Sequence, residues 1–120
     1  MARKVRILVV DPDPMTLERL NLLAPHAQTT VARTGLAALS HFPEQSFDLA
    51  LISARLPDMS GVALCAALAL LQPDLRRILL SDGDDFDDIN DSLDRLGISG
   101  VLLRPLAAEG VREELSMFAA

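Results

Sequence analysis

The stretch DLALISARLPDMSG, residues 48–61, joins an apolar run to a short polar loop and then to a helix start at Gly61. DLALIS (48–53) shows no alternation of polar and apolar positions, which predicts a strand covered on both faces, as in a parallel sheet. Open α/β sheets carry their chemistry at the carboxyl ends of such strands. Ser53 therefore stands where a functional group is expected.

Working outward, VRILVV (5–10), RRILLS (76–81) and SGVLL (99–103) repeat the apolar run, and TTVAR (29–33) is a weaker, edge-like version. Helical patterns separate them. Asp13-Pro14 supplies an N-cap and a first-turn proline for a helix reaching about Leu23. A short helix covers Gly35 to Phe42 and is closed by Pro43, and Gly61 to Gln72 forms the next. Asp84 to Leu96 places Phe86, Ile89, Leu93 and Leu96 on one stripe, with Gly97 as its C-cap. Val111, Leu115 and Phe118 mark the last helix. Five βα units without repeats imply an α/β fold, a doubly wound five-stranded parallel sheet with helices on both faces, as a single domain over residues 1–120.

Half the residues are hydrophobic but only 3% are aromatic, so the core must be built from Leu, Val, Ile and Ala. Eleven basic residues against seventeen acids give a net charge of −6, which argues against direct nucleic-acid binding. Cys65, the single cysteine, lies in VALCAALALL and reads as a small buried hydrophobe. Arg3, Lys4 and Arg6 precede only the short run ILVV before Asp11, too brief for a signal peptide. The longest uncharged stretch, Met59 to Pro73, is too short for a membrane span. The expectation is a cytoplasmic domain that binds neither membrane nor nucleic acid.

ILVVDPDP (7–14), LPDMSG (56–61), LLS (79–81) and LLRP (102–105), in this order, resemble the motifs of response-regulator receiver domains over nearly the whole chain. The resemblance implies the flavodoxin-like strand order 2-1-3-4-5. It also implies a pocket at the strand ends made by Asp11, Ser53, Ser81, Arg104 and Pro105, with the Arg104-Pro105 bond cis. In receivers the third strand ends in the aspartate that accepts a phosphoryl group; here that position is Ser53. Of the two adjacent acids that help hold Mg²⁺, Asp11 matches the first, and Pro12 takes the place of the second. The hydroxyl of the fourth strand is kept as Ser81. The lysine before proline is replaced by Arg104, and the aromatic switch residue of the fifth strand by Val101.

These departures have chemical consequences. Mg²⁺ favours an octahedral shell of oxygens anchored by carboxylates, and two of the three expected carboxylates are gone. A serine hydroxyl is a weak nucleophile unless a positioned base takes its proton, and His26 and His41 fall away from the strand ends. Phosphoryl transfer depends on positioning and on charge neutralisation by the metal. The reading is a degenerate receiver with no catalytic, metal or cofactor site. Arg104 keeps its charge in any protein and needs an acid at a partly buried strand end. An Arg104–Asp11 contact is therefore expected. Val101 is short and stiff, which argues against a moving lever.

Two surface features invite partners. The helix from Gly61 can bury Val62, Leu64, Cys65, Leu68 and Leu71, yet Ala63, Ala66, Ala67, Ala69 and Leu70 leave its outer face without charge. Such a face suits self-association as a homodimer or contact with a host domain. SDGDDFDDINDSLD (81–94) lacks the liganding period of a calcium loop. Its acids, Asp87 and Asp91 among them, suit a helix N-terminus and a solvated face, or a docking surface for a basic partner. The expected partner is thus a separate protein or a covalently linked output domain.

The competing enzyme reading is a small haloacid-dehalogenase-like phosphatase. Asp11 would be its nucleophile and Asp13 its general acid, with later acids holding Mg²⁺. Met15 stands where a small residue is needed, the sole lysine is Lys4, and LPDMSG and LLRP have no place in that pattern. An FMN-binding reading fails because PDPMT is not a Thr/Ser/Gly-rich phosphate loop.

Overall fold

The apolar runs become five strands: β1 (Arg6–Val10), β2 (Gln28–Ala32), β3 (Leu49–Ser53), β4 (Arg76–Ser81) and β5 (Gly100–Leu103). In the computed structural model, which describes residues 4–84, 87, 89 and 93–118, they form one parallel sheet in the order β2-β1-β3-β4-β5. This is the order implied by the receiver resemblance. The helices are α1 (Pro14–Leu23), α2 (Gly35–Leu39), α3 (Gly61–Leu71), α4 (Leu93–Leu96) and α5 (Ala108–Ser116).

Alternate residues of each central strand feed two separate cores, one on each face. Leu8, Val10, Ala50, Ile52 and Leu79 pack with Ala38, Leu64, Cys65 and Leu68 from α2 and α3. Ile7, Val9, Leu51, Ile78 and Leu80 pack with Leu20 and Val111 from α1 and α5. Continuous apolar runs were needed because both faces of β1, β3 and β4 are covered. β2 lies at the edge and is partly exposed, which accounts for its two threonines. Cys65 is buried, and that burial pushes its thiol up to about 12.

α1, α2 and α3 start on side-chain caps. Asp13 accepts the Met15 N–H, Thr34 the Ala37 N–H and Ser60 the Ala63 N–H, each at 3.0 Å. Caps of this kind are worth about 1 kcal/mol each. Gly61 has a separate reason. The loop after β3 doubles back, with an Arg55–Ser60 bridge and the Gly61 N–H on the Ala54 carbonyl at 2.9 Å. A Cβ at Gly61 would lie 2.1 Å from the Ser53 carbonyl oxygen. Only glycine lets α3 begin on the end of β3.

Some expectations need correcting. α2 ends at Leu39 rather than Phe42, because the chain tightens into i→i−3 bonds (His41 N–H to Ala38, Phe42 N–H to Leu39) before a cis Phe42-Pro43 bond. Phe42 then packs against the core. Leu71 is half exposed rather than buried; it shares the row of Leu64 but is the last residue of α3, at the open end of the helix. The helix expected from Asp84 is described only in part. Ile89 is buried, Leu93 half-buried and Asp87 exposed, whereas Phe86 and Asp91 lie outside the described residues. Gly97 has φ +65° beyond the last turn, as a C-cap requires. Arg104-Pro105 is cis.

Candidate functional site

Parallel register carries the ends of β1, β3, β4 and β5 to the same edge of the sheet. Val10 is level with Ile52, Ser53 with Leu80, and Ser81 with Leu103. The residues that follow, Asp11, Asp82 and Arg104, therefore converge with Ser53 and Ser81. The Arg104 N–H donates to the Ser81 carbonyl at 2.8 Å, extending the ladder by one bond and fixing where the side chain departs.

Arg104 reaches across the pocket. Its Nη1 donates to Asp11 Oδ2 at 2.7 Å and to Ser53 Oγ at 3.2 Å. Its Nε and Nη2 hold Asp82 as a fork, at 3.0 and 2.9 Å. The Asp11 contact expected from the sequence is present. Burial pulls the guanidinium's pKa down, but its hydrogen bonds to Asp11 and Asp82 outweigh that and raise it above the ordinary arginine value.

Asp11 is buried and fully engaged. Oδ1 accepts the Asp13 N–H at 3.0 Å, and Oδ2 accepts the Thr16 hydroxyl at 2.6 Å besides Arg104. Ser53 is buried too; its hydroxyl donates to the Arg55 carbonyl at 2.9 Å and accepts from Arg104. Its proton thus goes to an amide oxygen, which is not a general base. The Ser81 hydroxyl accepts the Gly83 N–H at 3.0 Å and so shapes the loop after β4. Pro105 is exposed, and Val101 is half-buried against the core under α3. Asp13, exposed, caps α1 by accepting the Met15 N–H.

Asp82 is the partner the sequence reading missed, having been absorbed into the acidic segment. A signal existed: Ser81 pairs with Leu103, so the next residues, Asp82 and Arg104, are neighbours across parallel strands. Thr16 was missed as well, since nothing in an α1 residue announces a bond back to Asp11. The loop after β3 contributes Asp58, whose carboxylate accepts the Gly35 and Leu36 N–H groups at 2.9 Å. Those bonds, Gly35 first, hold the Asp58 pKa below its ordinary value. They also tie LPDMSG to the start of α2.

The donor set does not match a divalent metal. A hard dication of Mg²⁺ type takes about six oxygens, with carboxylates as anchors. Here both Asp11 oxygens accept hydrogen bonds, and a guanidinium stands between Asp11 and Asp82. Among the described residues, no three His, Cys, Asp or Glu gather into a cation cage. The arrangement suits the guanidinium and does not fit Mg²⁺. The interface candidates lie elsewhere: Ala63 and Leu70 are exposed, and Ala66 and Ala67 are half-buried on the outer side of α3. Among the described residues, no helix is long and apolar enough to cross a membrane.

Comparison with known proteins gives one answer. The model of the response regulator receiver domain family matches residues 7–116. Two-component response regulator ORR24 of Oryza sativa subsp. indica is 32% identical over 112 residues, covering 90% of this chain. The chain spans only 18% of that relative's length. Among solved structures, the signal receiver domain of an HD domain-containing protein from Pseudomonas fluorescens Pf-5 superimposes with a TM-score of 0.86 at 28% identity. That match covers 98% of this chain and 88% of the other. A CheY-like response regulator receiver domain protein from Methanospirillum hungatei JF-1 shares the fold, with a TM-score of 0.83, 24% identity, and coverage of 96% and 93%. The matched sequence, the strand order and the convergence of four strand ends on one pocket agree: the chain belongs to the response regulator receiver domain family.

Proposed function

We propose that this receiver domain is degenerate: a cytoplasmic, non-enzymatic module of two-component signalling that works without being phosphorylated. The observation that carries this reading is the Arg104–Asp11–Ser53 cluster. The β3 end offers a buried hydroxyl with its proton committed to a carbonyl. The remaining carboxylate is neutralised from within the chain. Phosphoryl transfer requires positioned charge neutralisation around an in-line acceptor; here the acceptor position is a serine whose proton is committed, and the Asp11 oxygens are taken up by Arg104, Thr16 and the Asp13 N–H. Val101, short and stiff at χ1, supports a fixed surface rather than a relay. The domain then acts through standing contacts with a protein partner or a covalently linked output domain. The uncharged outer face of α3 and the acidic side that includes Asp87 are its candidate contact surfaces.

The test is direct. The protein is incubated with Mg²⁺ and acetyl phosphate, and separately with beryllofluoride, then read by intact mass and by backbone amide NMR. No mass gain and no shift of the Ser53 or Gly83 amides is the expected result. Stoichiometric uptake would overturn the reading.

A further inference from the structure

We infer that Arg104 is the pocket's own resident cation, tying the ends of β1, β3, β4 and β5 together while shutting divalent ions out of the carboxylates. The inference rests on the degenerate-receiver reading and goes beyond it, because absence of phosphorylation alone would leave the pocket free to bind metal.

Four oxygens from three strand ends surround one guanidinium: Asp11 Oδ2, Ser53 Oγ, and both oxygens of Asp82. This is an all-oxygen set of the kind a hard cation takes, filled by a side chain. The planar fork explains why arginine serves here. Nε and Nη2 grip Asp82 while Nη1 faces the opposite way, toward Asp11 and Ser53. A lysine ammonium is a point charge on a flexible stem and cannot span both carboxylates with fixed geometry. The anchor is rigid as well, since the Arg104 N–H is bonded to the Ser81 carbonyl.

The consequence is a latent divalent site. With the guanidinium removed, Asp11 and Asp82 face each other across the space it leaves, with the Ser53 hydroxyl beside them. Repulsion between a guanidinium and a dication about 4 Å apart, even at the dielectric of water, corresponds to a factor of about 30 in affinity. Allowing for relaxation of the exposed Asp82, Arg104→Ala is expected to bind Mn²⁺ at least about tenfold more tightly than the parent.

The experiment titrates ¹⁵N-labelled parent, Arg104→Lys, Arg104→Ala and the Arg104→Ala/Asp11→Asn double variant with Mn²⁺, reading paramagnetic broadening residue by residue. The parent should show no selective broadening at Asp11, Ser53 or Gly83. Arg104→Ala should show it, and the double variant should lose it. If Arg104→Ala fails to fold, Arg104→Lys is read in its place, with a smaller gain expected because one carboxylate is released. Selective broadening of the parent's pocket overturns the inference, as does a folded variant that gains nothing. A parent that refuses acetyl phosphate yet binds Mn²⁺ in the pocket would leave the degenerate reading standing and remove this one.

Discussion

Replacing Asp11 by asparagine tests whether the internal ion pair carries stability. The charge centres of the 2.7 Å pair lie about 4 Å apart, worth about 4 kcal/mol at an effective dielectric of 20 and about 1 kcal/mol in water. The Asp11 side chain is 1% exposed and that of Arg104 17%, so the environment lies nearer the first value. Asparagine keeps the shape but has one acceptor. Either its amide faces Arg104 and Thr16, or it faces the Asp13 N–H, and one donor meets another in both cases. Asp82 still holds the guanidinium, so Arg104 is not stranded. The expected loss is about 2–3 kcal/mol, below the 3–5 kcal/mol typical of a fully orphaned buried charge. Asp82→Asn breaks the more exposed arm, with Asp82 at 66%, and should cost no more than about 1 kcal/mol. Urea denaturation at constant m-value measures both, and thermal melting should show Asp11→Asn lowered by roughly 8–12 °C. If Asp82→Asn costs as much as Asp11→Asn, or Asp11→Asn costs under about 1 kcal/mol, the burial argument is wrong.

Ser53→Asp alone should not create a phosphorylatable domain, because Nη1 of Arg104 lies 3.2 Å from Ser53 Oγ and would pair with the new carboxylate. Beryllofluoride uptake by NMR is expected only when Pro12→Asp and Arg104→Lys are added; uptake by the single variant would refute this. Gly61→Ala should destabilise by more than about 3 kcal/mol despite alanine's better helix propensity. The cause is the 2.1 Å approach to the Ser53 carbonyl, and urea denaturation reads the loss. Asp58 has its folded pKa lowered from an ordinary 3.8. Its contribution is therefore present above the unfolded value and disappears as pH falls through the lowered folded one. Melting temperatures followed from about pH 5 down to about pH 2 should fall less steeply for Asp58→Asn than for the parent.

Hydrophobic patterning made the sheet readable because β1, β3 and β4 are buried on both faces and are apolar along their middles, with polar residues only at their ends. Helix starts were equally plain at Asp13-Pro14, where capping chemistry is local in sequence, and at Gly61, although the Ser60 cap emerged only from the structure. Helix ends were less so. α2 stops at Leu39 because Phe42 turns inward, a tertiary preference that overrides propensity. At the pocket, Ser53 stands out as a strand end, Asp11, Ser81 and Arg104 came from the receiver resemblance, and the Asp11–Arg104 contact from the need of a partly buried guanidinium for an acid. Asp82 and Thr16 needed the lateral register and a side-chain direction, neither of which a one-dimensional pattern displays until neighbouring strands are laid side by side.

The outer side of α3 bears on the handling of the isolated domain. Leu70 is 86% exposed, and no charged residue lies anywhere from Gly61 to Leu71. Colloidal repulsion between copies must then come from the acids elsewhere, which give the net charge of −6. Near the isoelectric point of about 4.7 that repulsion vanishes. Turbidity should rise there first, and a single lysine introduced at Leu70 should delay it.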